Sequence, residues 1–131
     1  MTRPLALDTN AFSAIFDGDS VIIRLVNTTA QVAIPSVVLG ELYYGYFYGS
    51  RREKNLSELA TFLAETNPEI LEVNAETAKL FGEISAELRR AGRPIQQNDI
   101  WIAALCKQHG YVLATRDADF QAIIGLETVS F

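Results

Sequence analysis

At 131 residues, 49% hydrophobic and 21% charged, the chain has the size and balance of one globular domain, residues 1–131, that buries its own core. A formal charge of −5 at pH 7 argues against a generic binder of the phosphate backbone, which is normally basic. The single cysteine, Cys106, excludes an internal disulfide and suits a reducing cytoplasm. No apolar stretch approaches the roughly 20 residues that cross a bilayer. Met1-Thr2-Arg3-Pro4 leads straight into an apolar run, so neither a secretory leader nor membrane association is expected.

Leu5-Ala6-Leu7 is too short for a helix and reads as a buried strand, ending abruptly on Asp8, Thr9 and Asn10. Val21 to Thr29 carries Ile22, Leu25 and Val26 at the spacing of one helical face, with Asp19 or Ser20 as its cap. Gln31 to Ile34 is a second strand closed by Pro35, and Ser36 is expected to cap a helix through Leu42. Gly45 to Gly49 is expected to turn into another helix, whose Leu56, Leu59, Ala60 and Leu63 share a face. Asn67-Pro68 breaks it, and Ile70 to Val73 reads as a third strand.

Asn74 caps a helix faced by Thr77, Leu80, Phe81, Ile84 and Leu88, which ends at Arg89, Arg90 and Gly92. Asn98 is expected to cap a helix closed by Gly110. Tyr111 to Thr115 is a fourth strand, Arg116 to Phe120 a loop, and Leu126 to Phe131 a last strand. Strands alternating with helices predict an α/β fold with a mostly parallel central sheet of four to five strands flanked by helices.

Most acidic residues fall on solvated helix faces, but four do not. Asp8 ends an apolar strand, Glu41 interrupts a hydrophobic helix, Asp99 opens another, and Asp117 follows the fourth strand by two residues. In a parallel sheet the strand carboxyl ends share one edge, where α/β proteins bind their ligands. Asp8, Asp117 and Glu41 are therefore expected together; Asp99 joins them only if its helix aims back at that edge. Taken singly, each has a plainer explanation: a turn residue, a helix-dipole partner, an Asx turn or a surface ion pair. Taken together, clustered carboxylates without histidine point to a hard cation bound through oxygen, Mg²⁺ or Mn²⁺. Two such ions would cancel most of the negative charge, and such a centre serves in-line phosphodiester displacement. Other chemistries lack their residues: His109 closes a helix, Cys106 reads as core, and there is no CxxC, GxGxxG or Walker loop.

These acids with their neighbours resemble the PIN-domain ribonucleases, specifically VapC-type toxins of toxin–antitoxin pairs. The matching stretches are Leu7-Asp8-Thr9-Asn10, Ser36 through Glu41-Leu42, Asn98-Asp99-Ile100 with Ile102-Ala103-Ala104, and Thr115 to Phe120. The resemblance implies a PIN-like fold in which Asp8, Glu41, Asp99 and Asp117 are the catalytic, metal-binding acids. Thr9, Asn10 and Thr115 would support them, and Asp119 is the neighbouring alternative to Asp117. It implies an endoribonuclease using Mg²⁺ or Mn²⁺, a homodimer, and a hetero-oligomer with a cognate VapB-like antitoxin. Tyr43, Tyr44, Tyr46, Phe47 and Tyr48 fall where that antitoxin would dock; core or dimer contacts, or stacking on RNA bases, are the other roles open to them. Arg51, Arg52, Lys54, Arg89, Arg90, Arg93 and Arg116 could position phosphates, although solvated surface is the ordinary role of such residues. A catalytically silent PIN fold binding RNA or protein, and a PIN nuclease of RNA maturation, are the alternatives.

Overall fold

The computed structural model describes residues 3–131. Met1 and Thr2, at the head of the stretch from which no leader is expected, lie outside them. Five parallel strands form one sheet: β1 (Leu5–Leu7), β2 (Val32–Pro35), β3 (Glu69–Leu71), β4 (Val112–Ala114) and β5 (Thr128–Val129), in the order β3-β2-β1-β4-β5. Leu5 sits opposite Val32 on one side and Val112 on the other, so β1 is central. Consecutive residues of β1, β2 and β4 are all buried, as expected of a sheet covered on both faces. The covering helices are α1 (Thr9–Phe16), α2 (Ser20–Thr28), α3 (Ser36–Tyr48), α4 (Arg52–Thr66), α5 (Ala75–Arg90) and α6 (Gln97–His109).

Local chemistry sets most helix ends. Asp19 caps α2 by accepting from the Val21 and Ile22 amides at 2.9 and 3.1 Å. Asn74 and Thr77 exchange a reciprocal capping pair at the start of α5. Asn67, at φ 46°, ends α4 in the left-handed conformation that asparagine tolerates, and Gly110 ends α6 at φ 75°.

Several expectations are corrected. The chain after Asp8 forms α1, which sequence reading missed; Asp8 caps it, its Oδ1 accepting from the Ala11 amide at 2.7 Å. Phe12, Ile15 and Phe16 carry the helical spacing there, and Phe12 is buried against Phe62 with ring centroids 5.1 Å apart. Ser36 is the first residue of α3, not its cap, because Pro35 takes the cap position with its fixed backbone angle. The helix also runs straight through Gly45 and ends only at Gly49, whose amide donates to the Gly45 carbonyl. The cap of α6 is Gln96, two residues before Asn98. Finally, Ala118–Ala122 is a short 3-10 turn that starts in the expected loop and runs past its expected end at Phe120, and the last strand covers Thr128 and Val129 alone.

Burial of one large side chain such as Phe12 stabilises the fold by about 1.5–3 kcal/mol. Phe81 stacks on Trp101 at 4.0 Å between α5 and α6, fixing the helix that carries Asp99. Cys106 is buried and its thiol is pushed up to about 12 by desolvation and by Asp8, so it packs and does not react. No helix among the described residues is long and apolar enough to cross a membrane.

Candidate active site

The order of the strands reverses at β1, where the chain first builds outward through β2 and β3 and then returns through β4 and β5. At such a switch point the loops after adjacent strands part and leave a crevice. A cleft of about 250 Å³ lies there, lined by Asp8, Thr9, Asn10, Glu41, Gln96, Asp99, Ile102, Asp117 and Phe120. Asp8 arrives from β1, Glu41 from the second turn of α3, Asp99 from the first turn of α6, and Asp117 from the segment after β4. Four distant stretches thus bring one carboxylate each to the same hollow. The N-terminus of α6 does aim back at the sheet edge, the condition on which Asp99 depended.

Hydrogen bonds hold several of these groups. The Thr9 hydroxyl donates to Glu41 Oε1 at 2.7 Å, joining the start of α1 to α3. Asp117 Oδ1 accepts from the Asp119 amide at 2.9 Å, and the Asp117 amide donates to the Thr115 hydroxyl at 3.0 Å. Asp119 itself is exposed and does not line the cleft, which separates it from Asp117. Thr115 is buried behind the hollow, at 4% exposure. Asn10 and Gln96 are exposed at its rim. Sequence reading missed Gln96: a glutamine before a helix carries no distinctive signal, and only the cap position of α6 brings it here.

Electrostatics in the cleft follow from crowding. Asp8, 5% exposed, is raised above the usual carboxylate range by burial. Hydrogen bonds from Thr115 and the Ala11 amide oppose that rise, and the charges of Asp117 and Glu41 add to it. Asp99 is pushed up to about 6, first by burial and then by Asp117, Glu41, Asp8 and Asp119. Among the described residues, no three His, Cys, Asp or Glu side chains stand gathered as a ready coordination group. The donors available to a ligand are all oxygens, which suits a hard cation over a soft one.

The raised group makes a prediction about stability. Asp99 holds its proton more tightly folded, at about 6, than its ordinary value of 3.8 allows. Its contribution is therefore fully present below about 4 and lost as pH rises through about 6. Chelator-treated protein is expected to lose thermal stability between pH 4 and pH 7. Asp99→Asn should flatten that slope and stabilise by on the order of 1 kcal/mol at pH 7.5, the side chain being half-exposed and partly screened. An unchanged melting profile in the variant would contradict the assignment of the repulsion to this cleft.

None of the arginines singled out in the sequence lines the cleft. Arg116 pairs with Asp19 at 2.6 Å, donates to the Phe131 carbonyl at 3.1 Å and lies 4.3 Å from the Phe131 ring. It ties the segment carrying Asp117 to α2 and to the chain end. Arg52 donates to the Phe47 carbonyl at 2.7 Å. Arg51 borders a separate hollow with Lys54, and Arg93 borders another with Arg89 and Pro94. The aromatic run divides by face: Tyr43 and Tyr46 are half-buried, while Tyr44, Phe47 and Tyr48 are exposed.

Fold and cleft together define an α/β protein with an oxygen-only acidic hollow at the switch point of a parallel sheet. The sequence profile of the PIN domain matches residues 5–126, and the chain belongs to that family. It is 31% identical over 130 residues to ribonuclease VapC5 of Mycobacterium tuberculosis, covering 98% of this chain and 95% of that protein. It is 32% identical over 106 residues to ribonuclease VapC2 of Haemophilus influenzae, covering 80% and 79% respectively. A tRNA(fMet)-specific endonuclease VapC of Shigella flexneri is 33% identical over 99 residues, 75% of this chain and 74% of that one. In structure the chain is similar to one in the crystal structure of VapBC2 from Rickettsia felis bound to a DNA fragment from their promoter. There the TM-score is 0.87 at 29% identity, with 98% of each chain covered.

Proposed function

We propose that this chain is an endoribonuclease of the VapC type, the toxin of a toxin–antitoxin pair, cleaving RNA phosphodiester bonds with Mg²⁺ or Mn²⁺. The observation that carries the reading is the convergence of Asp8, Glu41, Asp99 and Asp117 on one cleft in a chain whose relatives are ribonucleases. Those four residues would hold the cation, since together they offer only carboxylate oxygens and their mutual repulsion favours a positive ion. When bound, it supplies neutralisation of the phosphate charge and activation of a water for in-line displacement.

The chain's own groups prepare that chemistry. Thr9 fixes one oxygen of Glu41. The Ala11 amide fixes Oδ1 of Asp8, and the Asp119 amide fixes Oδ1 of Asp117. Ile102 and Phe120 supply apolar walls that lower the local dielectric and strengthen every charge interaction within. Without a cation the cleft would repel a phosphodiester, and with water as the attacking group no side chain would need to serve as nucleophile.

On this reading the partners are RNA, a VapB-like antitoxin and a second copy of the chain, and the work is done in the cytoplasm. The test is sequencing of RNA 5′ ends after induction, wild type against Asp8→Asn. New ends at defined positions with wild type alone support the reading. No new ends would favour a catalytically silent fold, and ends confined to precursor RNA would favour a maturation nuclease.

A further inference from the structure

Beside the acidic cleft lies a second hollow of about 590 Å³, lined by Val37, Gly40, Glu41, Tyr44 and Asn98. Glu41 lines both, so the two hollows adjoin at that side chain. Tyr44 follows Glu41 by three residues on α3, which puts the two side chains on the same helix face. Its ring is 69% exposed and stacks on Tyr48 at 5.9 Å, so its plane is held without being covered. Gly40 is the floor. Glycine weakens a helix relative to alanine, yet a Cβ at Gly40 would meet nothing within 4 Å. Nothing inside the chain requires the glycine there. The bare backbone instead leaves room for something flat to come close. Asn98, exposed at the start of α6, presents both a donor and an acceptor across the hollow.

An aromatic face, a stretch of bare backbone and a bifunctional amide, sharing Glu41 with the acidic cleft, are the parts that recognise an unstacked base of single-stranded RNA. A purely apolar protein segment would leave the Asn98 amide without a partner, whereas a base edge satisfies it. We propose that this hollow receives the nucleobase next to the scissile phosphate, stacked on Tyr44 with its edge read by Asn98. The proposal rests on the ribonuclease reading and adds to it the determinant of sequence preference.

The test uses the full chain and a pool of short RNAs randomised in sequence, with Mg²⁺ or Mn²⁺. Cleavage by wild type, Tyr44→Ala, Tyr44→Phe, Asn98→Ala and Gly40→Leu is read by 5′-end sequencing and by kcat/KM on the preferred substrate. Tyr44→Ala should lower kcat/KM about tenfold or more, mainly through KM, and flatten base preference at one position beside the cut. Tyr44→Phe should keep both. Asn98→Ala should broaden the preference while cleavage persists. Gly40→Leu should lower kcat/KM with no fall in melting temperature. Wild-type kcat/KM and unchanged preference in Tyr44→Ala would overturn the pocket, and loss of antitoxin or dimer affinity in that variant would give the surface to a protein instead. Should Tyr44→Ala fail to fold, an unchanged preference in Asn98→Ala overturns it equally. A wild type that cuts no RNA overturns the ribonuclease reading and the pocket with it, which distinguishes the two failures.

Discussion

Asp8→Asn is expected to lower RNA cleavage by about a hundredfold or more and to leave the fold intact. The two halves of that expectation have different causes. Asparagine keeps a carbonyl oxygen where Asp8 Oδ1 accepts from the Ala11 amide, so α1 keeps its cap. It also removes a buried charge that Asp117 and Glu41 repel, so stability should hold or rise. What it cannot keep is the negative charge that Asp8 brings to the cleft. The same substitution should relieve growth arrest in cells that express the chain. Cleavage at the wild-type rate, with an unchanged melting temperature, would remove Asp8 from the active site.

Removal of divalent cations is expected to have an effect as large. With EDTA present, cleavage should disappear, and it should return on adding Mg²⁺ or Mn²⁺ in excess of the chelator. Monovalent salt should not restore it, because four converging carboxylates need concentrated positive charge. The cleft is poised for this: Asp99 is pushed up to about 6 by its surroundings, and a cation among those oxygens would bring it back down. Activity in limiting cation should therefore rise with pH across that range, as protons and metal compete for the same group. Full activity in EDTA would mean that the carboxylates act in some other way.

How far the sequence could be read depends on the kind of signal each element carries. The strands were legible because Leu5-Ala6-Leu7 and Val112-Leu113-Ala114 are short, apolar and end on polar residues. Their parallel pairing followed from the helices between them. The meeting of Asp8, Glu41, Asp99 and Asp117 at one cleft was legible because each is out of keeping with its immediate surroundings. By contrast, α1 was hidden by Asp8 itself: a strand-ending acid and a helix-capping acid look alike, and here one residue is both. The passage of α3 through Gly45 was hidden because glycine is ordinarily a breaker, and here the helix continues to Tyr48 before Gly49 caps it. Gln96 and the hollow beside Tyr44 could not be read at all, since they arise from the meeting of α3 with α6. Arg116 read as a residue that could position a phosphate, and the fold instead gives it Asp19, 97 residues away, and Phe131 as partners.

The most direct measurement is calorimetric titration of Mn²⁺ into metal-free protein at neutral pH, wild type beside the Asp8→Asn/Asp99→Asn double variant. Saturable heat in the wild type that vanishes in the double variant is the predicted result. No heat of binding in the wild type, or the same heat in both proteins, would contradict a cation centre built from these distant carboxylates.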